Sequence, residues 1–292
     1  MFEFWINFSR LTRPLSNVKN IAIISLAFYL SQTPLNWSLF VLGSLSLSLI
    51  FSAIYAYNSA CDADVDKYNN NKRHYLSAVA YFSKKKTLAI VGILFLFGVI
   101  LAVFINVRFF YTAIALAVSG FFYSSRYFRF KEKPVLDVVF GATLTILLRF
   151  VAAWFIFSMS FPPLLPMFAL VFLKNGGYML YKCYDRPFLI RAGIKNSITL
   201  LKQKTILVLS LVFFVCSIGL FILMCLNSLY LKAVVLGALP VSFLFLLIFF
   251  IPPIVIQYLL VLEIVKINPR YFRTAGFISM FIIIAFVFLI SK

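Results

Sequence analysis

The sequence predicts an all-α polytopic membrane protein with about nine transmembrane helices. Of its 292 residues, 63% are hydrophobic and only 12% are charged. The mean hydropathy of +1.03 is far above that of water-soluble domains. Apolar stretches of roughly 18 to 24 residues recur along the whole chain, and each is long enough to cross a hydrocarbon core about 30 Å thick. Most of the protein surface is therefore expected to face lipid and not water.

The apolar stretches define the predicted spans and leave no room for a separate soluble domain. The segment 1–20 mixes aromatic and basic residues, which suits an interfacial lead helix, although a plain positive anchor is the alternative. We expect one domain over 1–292 and no removable signal peptide. The eighth span contains Pro240, Pro252 and Pro253, so we expect it to be tilted, kinked or broken. The predicted spans lie near 18–33, 37–60, 86–105, 108–124, 136–159, 163–184, 204–226, 230–265 and 272–291.

The distribution of positive charge predicts the orientation of the chain. A net charge of +19 would suit a nucleic-acid-binding protein. All but five of the 27 Lys and Arg residues, however, fall in the connecting segments on one side: 1–20, 61–86, 125–135, 182–204 and 266–273. Because basic residues collect in cytoplasmic loops, we predict a cytoplasmic N-terminus in the plasma or inner membrane. Topology thus accounts for the charge, no nucleic-acid partner is expected, and function is expected on the cytoplasmic face.

Acidic residues are scarce, and three of the eight fall within five positions. Asn58, Asp62 and Asp66 are spaced i, i+4, i+8, so they share one face if the second span continues as a helix. Carboxylates at a membrane helix end are costly unless cations neutralise them, and Mg²⁺ prefers carboxylate and phosphate oxygens. We therefore predict a Mg²⁺ site here, with a solvated acidic loop as the alternative. Asp64 is expected to point away from this face.

A second polar cluster follows the sixth predicted span. Tyr178, Lys182 and Asp185 are spaced i, i+4, i+7 and share a helical face. One interpretation places Lys182 on a phosphate oxygen and Asp185 on a metal or a substrate hydroxyl. The other is an ordinary interfacial ion pair between Lys182 and Asp185.

Further cations accompany these clusters. Arg149 lies 12 residues after Asp137, about 18 Å along a helix, and is therefore expected near mid-membrane, where an anionic head group or an interhelical partner would neutralise it. Lys174 is expected nearer the far side, where snorkelling to water competes with a functional role. Lys72 and Lys131 are candidates for binding diphosphate, although positive-inside bias explains most of the basic residues around them. With a single histidine and no CxxC pair, a zinc site is not expected.

These residues resemble the UbiA superfamily of intramembrane prenyltransferases. The N-x-x-x-D-x-x-x-D pattern of 58–66 matches the first aspartate-rich motif of that family. TRPLSNVKN at 12–20, Lys72, LDVVFGATLTILLR at 136–149 and Y-x-x-x-K-x-x-D at 178–185 are similar to the decaprenyl-phosphate phosphoribosyltransferase-like branch. The chain departs from the family where Ser59 replaces an aspartate, where Asn69 and Asn70 replace His-Pro, and where Tyr75 and Leu76 replace Arg-Pro.

The resemblance implies a transferase with a central cavity open to the cytoplasmic side. It implies Mg²⁺-dependent transfer with loss of diphosphate, with a polyprenyl lipid and a diphosphate donor as partners. Phosphoribosyl transfer from phosphoribosyl pyrophosphate to polyprenyl phosphate is slightly preferred, and prenyl transfer from a prenyl diphosphate to an aromatic or other acceptor is the alternative. The implied catalytic residues are Asp62, Asp66, Lys182 and Asp185; the metal ligands are Asn58, Asp62, Asp66 and Asp185; the substrate-binding residues are Arg13, Lys19, Asn20, Asn58, Lys72, Lys131, Asp137, Arg149 and Tyr178.

A cation-linked transporter or lipid carrier is the competing class of function. The same carboxylates would then coordinate a translocated ion, and Arg149, Lys174 and the paired prolines would suit such a protein. Transporters tend to place ion sites near the bilayer midplane in broken helices, whereas these acids are predicted at cytoplasmic helix ends. Their position therefore favours an enzyme.

Overall fold

Helices provide all the regular structure of the residues that the computed structural model describes, which are 1–227 together with 255, 258, 260–262, 281, 284 and 285. The helices are α1 (Phe2–Thr12), α2 (Pro14–Ser31), α3 (Trp37–Asp66), α4 (Arg73–Val103), α5 (Val107–Ser124), α6 (Leu136–Val138), α7 (Leu144–Phe155), α8 (Leu164–Arg191), α9 (Ser197–Leu200) and α10 (Gln203–Leu226). Single 3₁₀ turns occupy Asn70–Lys72 and Phe130–Glu132, and a π-helical turn at Val139–Thr143 joins α6 to α7. The predicted all-α class is confirmed.

Among the described residues, six helices are long and apolar enough to cross a membrane: α3, the Asn70–Val103 segment that contains α4, α5, the run Leu136–Phe155, α8 and α10. They match six of the nine predicted spans, and the chain is an integral membrane protein. The predicted first span is also a helix, α2, but it is more polar and is not among the six. The predicted spans 230–265 and 272–291 lie outside the described residues, apart from the few positions given above.

Local sequence signals explain where the helices begin and break. Arg13 adopts a left-handed conformation with φ 50° and is followed by Pro14 in the first turn of α2, so the break between α1 and α2 falls inside the predicted lead segment. Asn36 caps α3 by accepting a hydrogen bond from Leu39 N. α4 is broken at Ser83, where φ is 61°, and this break separates a short helix near 73–82 from the span itself.

The packing of the long helices places the ends of α3 and α8 beside the segment 125–135. α3 packs mainly against α4, α8 packs against α10, and α2 and α5 both pack against α7. Phe51, Phe109 and Phe150 are fully buried where α3, α5 and α7 meet. This core fixes the relative positions of the helices whose ends carry the polar residues.

Candidate active site

The first polar cluster lies on one face of the last turns of α3. The helix continues to Asp66, so the shared face predicted for Asn58, Asp62 and Asp66 is confirmed as helical geometry. Both carboxylates are buried, with Asp62 7% and Asp66 5% exposed. The Oδ1 atom of Asp66 accepts a hydrogen bond of 2.7 Å from Nζ of Lys72, and Asp62 forms an ion pair with Lys131. Each aspartate is thus neutralised by a lysine from a neighbouring segment.

Asn58 and Asp64 have different surroundings. The Asn58 Oδ1 atom accepts a hydrogen bond of 2.9 Å from the hydroxyl of Ser124, at the end of α5. Asp64 points away from the cluster, as predicted, and its side chain is 75% exposed. Its ion pair with Arg126, at 2.9 Å, is also exposed, and such surface pairs contribute little to stability.

The connection between α5 and α6 brings Lys131 into the site. The carbonyl oxygen of Lys131 accepts a hydrogen bond of 3.0 Å from Nδ2 of Asn196, which also caps α9. The side chain is only 9% exposed, and this burial lowers the pKa of the Lys131 amine to about 8. Lys131 is therefore held in place by the fold as well as by its attraction to Asp62.

The second polar cluster lies on α8 and reaches the first directly. Oδ1 of Asp185 accepts a hydrogen bond of 3.0 Å from Nδ2 of Asn69, three residues after Asp66. Lys182 interacts electrostatically with Asp185 and Asp66, but it forms no ion pair within 4.0 Å in the described part of the chain. The simple Lys182–Asp185 ion pair considered above is therefore not formed. The Tyr178 hydroxyl lies 3.4 Å from that of Tyr123.

Asp137 is completely buried beside this cluster. Its Oδ1 accepts a hydrogen bond of 2.6 Å from the Ser197 hydroxyl, and the Ser197 Oγ in turn accepts one of 2.7 Å from Val135 N. Val135 has φ 68°, which is strained for a β-branched residue. Asp137 also interacts electrostatically with Lys182, which connects it to α8.

Arg13 lies directly before α2, and Asn20 lies on α2. The guanidinium of Arg13 lies 3.7 Å from the ring centre of Tyr75 and donates a hydrogen bond of 3.0 Å to Ser59. Ser59 and Tyr75 are two positions at which the chain departs from the family pattern, and both contact Arg13. Asn20, which is 1% exposed, donates weak hydrogen bonds of 3.4 Å to Asn17 and 3.5 Å to Ser48.

A further group of cations lies deeper in the helix bundle. Arg149 on α7 is 4% exposed, and its guanidinium lies 3.7 Å from the ring centre of Phe51. Lys174 lies ten residues after the start of α8, about 15 Å along the helix, which is half the thickness of a hydrocarbon core. The expectation that Lys174 lies nearer the far side of the membrane stays a prediction. Its electrostatic neighbours are Lys19, Arg149 and Lys182.

The donor set fits a divalent cation that arrives with a phosphorylated substrate better than a preformed metal cage. Within the described ranges no group of three or more His, Cys, Asp or Glu side chains is close enough to hold a metal ion. Asp62 and Asp66 nevertheless offer carboxylate oxygens, and the buried Oδ2 of Asp185 has no hydrogen-bond partner among the described residues. Mg²⁺ commonly binds through one or two protein carboxylates plus substrate phosphates. Asn58, Asp62, Asp66 and Asp185 would hold such an ion if phosphate oxygens replaced the aspartates as the partners of Lys72 and Lys131.

Sequence reasoning missed several residues of this site. Asn69 stands out in the sequence only as a departure from the family pattern, and Ser124, Asn196 and Ser197 lie outside the predicted polar clusters. Their partners lie 60 or more residues away along the chain. No local spacing marks such contacts. The only signal was the presence of amide and hydroxyl side chains near helix ends.

Comparisons with known proteins identify the family and the fold. The UbiA prenyltransferase family matches residues 20–251. A UbiA homologue from Archaeoglobus fulgidus, solved with GPP and Mg²⁺, has a TM-score of 0.74 at 21% identity, covering 98% of this chain and 99% of that one. The apo structure of a UbiA homologue from Aeropyrum pernix K1 has a TM-score of 0.74 at 19% identity, covering 94% and 97%. A digeranylgeranylglyceryl phosphate synthase structure has a TM-score of 0.64 at 19% identity, covering 99% and 97%. These likenesses establish a shared fold; a search of curated proteins gave no match.

Proposed function

The chain belongs to the UbiA prenyltransferase family and is a membrane-embedded transferase, and on this premise we propose that it releases diphosphate from a Mg²⁺-bound donor and transfers the remaining group to a lipid substrate. The observation that carries the proposal is the meeting of two clusters. Asp62 and Asp66 on α3 lie against Lys131 and Lys72, and Asp185 on α8 is joined to the same place through Asn69. Family membership removes the support for a cation-linked transporter.

The chemistry required is heterolytic cleavage of a carbon–oxygen bond in the donor. Diphosphate leaves with the bonding electron pair, the carbon becomes cationic, and a nucleophilic oxygen or carbon of the acceptor forms the new bond and loses a proton where it carries one. Mg²⁺, when bound, would neutralise the departing diphosphate. Lys72, Lys131 and Lys182 would donate hydrogen bonds to the phosphate oxygens, replacing their present interactions with the aspartates. Such stabilisation of developing charge needs no histidine base.

Two donors are candidates for this site. The A. fulgidus homologue was solved with GPP and, separately, with DMAPP, which favours a prenyl diphosphate. The second cluster offers Lys182 with the single acid Asp185, as in the phosphoribosyl-transferring branch that the sequence resembles, which favours phosphoribosyl pyrophosphate. We retain a slight preference for the phosphoribosyl donor and polyprenyl phosphate. The site would open to the cytoplasm of the plasma or inner membrane, with the N-terminus on that side.

The test uses the purified full-length protein in detergent and in liposomes. Radiolabelled GPP or phosphoribosyl pyrophosphate is supplied with polyprenyl phosphate, with Mg²⁺ or with EDTA, and lipid products are separated by chromatography. We expect one donor to give a Mg²⁺-dependent product. Asp62→Asn and Asp66→Asn should each lower the rate by roughly 100-fold or more, since each removes charge that would hold the metal.

Asp64→Asn is the matched control, because this acid lies on the same stretch of helix but points into solvent. Its rate should remain within about twofold of the unmodified protein. The proposed function would be refuted if neither donor gave a product, or if the rate fell equally in all three variants.

A further inference from the structure

Lys174, on α8, lies outside the two polar clusters of the candidate active site. Lys174 and Lys182 are eight residues apart and share a helical face, so their backbones are separated by about 12 Å, with Tyr178 between them. Lys174 therefore needs a separate explanation.

Lys174 is enclosed by the helix bundle. It lies in the interior of the bundle yet retains part of its accessible surface. It forms no hydrogen bond or ion pair within residues 1–227 or the few described positions beyond them, and its electrostatic neighbours are all cations, Lys19, Arg149 and Lys182. An unpaired charge at this depth is costly unless a ligand neutralises it.

Arg149 is a second cation in the interior of the bundle, beside Lys174. Its guanidinium rests on the ring of Phe51 and interacts with the Tyr55 hydroxyl, which fixes its orientation. Its Nε is buried and has no hydrogen-bond partner among the described residues. No carboxylate of the described chain forms an ion pair with it. The guanidinium is therefore held in one orientation, and its Nε–H group can still donate a hydrogen bond.

The backbone around these two residues is held in place by contacts that are independent of the diphosphate site. The Thr143 hydroxyl, in the π-helical turn before α7, donates a hydrogen bond of 3.1 Å to Asn175 Oδ1 on α8. This bond joins the two helices that carry Arg149 and Lys174, at the level of Lys174 itself. π-helical turns occur frequently at functional sites.

We propose that Arg149 and Lys174 form a second anion-binding site inside the bundle, which binds the phosphate group of a lipid acceptor next to the donor site. A guanidinium and an ammonium together match the charge and the acceptor oxygens of a phosphate monoester. The depth of the site favours an anion that arrives on a hydrophobic chain over one from water, because the surrounding α2–α3–α7 core is apolar. The identification of the ligand as an acceptor rests on the proposed function, whereas the anion site itself does not.

Binding measurements on the full-length protein in detergent test this assignment. The probes are farnesyl phosphate, farnesol and inorganic phosphate, each titrated without Mg²⁺ and without donor. Lys174→Met should weaken farnesyl phosphate binding by roughly tenfold or more, and Lys174→Arg should restore it to within about threefold. Farnesol binding should be unaffected by either change. Arg149→Met should weaken farnesyl phosphate binding in the same way.

The controls separate this site from the donor site and from the fold. Lys84→Met removes an exposed lysine of α4 and should leave farnesyl phosphate binding unchanged. Binding of Mg²⁺ with GPP or phosphoribosyl pyrophosphate should change by less than about twofold in Lys174→Met, which also shows that the variant is folded.

Three results would overturn the assignment: unchanged farnesyl phosphate binding in Lys174→Met, equal losses of donor and farnesyl phosphate binding, or inorganic phosphate binding as tightly as farnesyl phosphate. The first excludes the anion site, the second makes Lys174 part of the donor site or of the fold, and the third excludes a lipid ligand. Failure of the proposed function would appear separately, as absence of donor binding or of Mg²⁺-dependent product.

Discussion

Asn69 donates a hydrogen bond of 3.0 Å to Asp185, and this contact joins two parts of the chain that are 116 residues apart. Asn69 follows α3 by three residues and Asp185 lies in the last third of α8. Both side chains are buried, with 4% and 6% of their surface exposed. The bond therefore holds the ends of the two polar clusters together before any ligand arrives.

Asn69→Ala should separate these clusters. The buried Asp185 carboxylate would lose its donor, which costs about 1–3 kcal/mol, and we expect a lower midpoint of thermal unfolding in detergent. Mg²⁺ with a diphosphate donor should restore part of this loss by supplying a new partner. Asn70→Ala, at the exposed neighbouring position, is the control and should leave the midpoint unchanged. Equal midpoints for the two variants would contradict the structural role of Asn69.

Lys72→Met and Lys131→Met should have opposite effects on metal and donor. Each change removes a cation that neutralises an aspartate in the metal-free protein, so Mn²⁺ alone should bind about three- to tenfold more tightly. The same lysines are proposed to bind phosphate oxygens, so the affinity for the diphosphate donor should fall by roughly tenfold. Calorimetric titration measures both. Lys133→Met, an exposed position in the Lys131 segment, should change neither, and weaker Mn²⁺ binding in the two variants would disprove the exchange.

Gly141→Ala should disturb the Tyr123–Tyr178 pair. A Cβ atom at Gly141 would lie 2.8 Å from the Tyr123 ring and 2.9 Å from the Tyr178 ring, which forces both rings to move. Overpacking of this kind typically costs about 1–3 kcal/mol, and we expect reduced thermal stability together with weaker donor binding. Gly92→Ala is the control, because a Cβ there meets nothing within 4 Å, and it should be neutral or stabilising by about 0.5–1 kcal/mol. A Gly141→Ala protein as stable as Gly92→Ala would show that the two rings adapt freely.

Ser197→Ala should weaken the connection between α9 and the start of the Leu136–Phe155 run. The change removes the donor to the buried Asp137 and the acceptor for Val135 N, so unfolding should become easier by about 1–3 kcal/mol. Hydrogen–deuterium exchange should increase at Val135 and its neighbours. Ser9→Ala, whose hydroxyl bonds only within an exposed turn of α1, serves for comparison. Unchanged exchange around Val135 would mean that Ser197 does not hold this strained residue.

The geometric predictions that the structure confirms are those governed by helical spacing. The i, i+4, i+8 pattern placed Asn58, Asp62 and Asp66 on one face because α3 continues through the motif, and the same geometry turned Asp64 outward. Spacing alone does not give the depth of Lys174, because that depth depends on where α8 begins. The Asn69–Asp185 bond was missed because its partners are distant along the chain.

The sequence by itself determined that the protein lies in a membrane, that it is helical and which family it resembles. Mean hydropathy, the length of apolar runs and motif spacing give these three results, because each is a property of local segments. It also identified the Asp62–Asp66 face and the second cluster on α8. Only the tertiary structure decided which lysine meets which aspartate and that Arg149 and Lys174 belong to one cationic interior. Those pairings arise from the packing of helices that are far apart in sequence, where one helical turn of axial shift exchanges one neighbour for another.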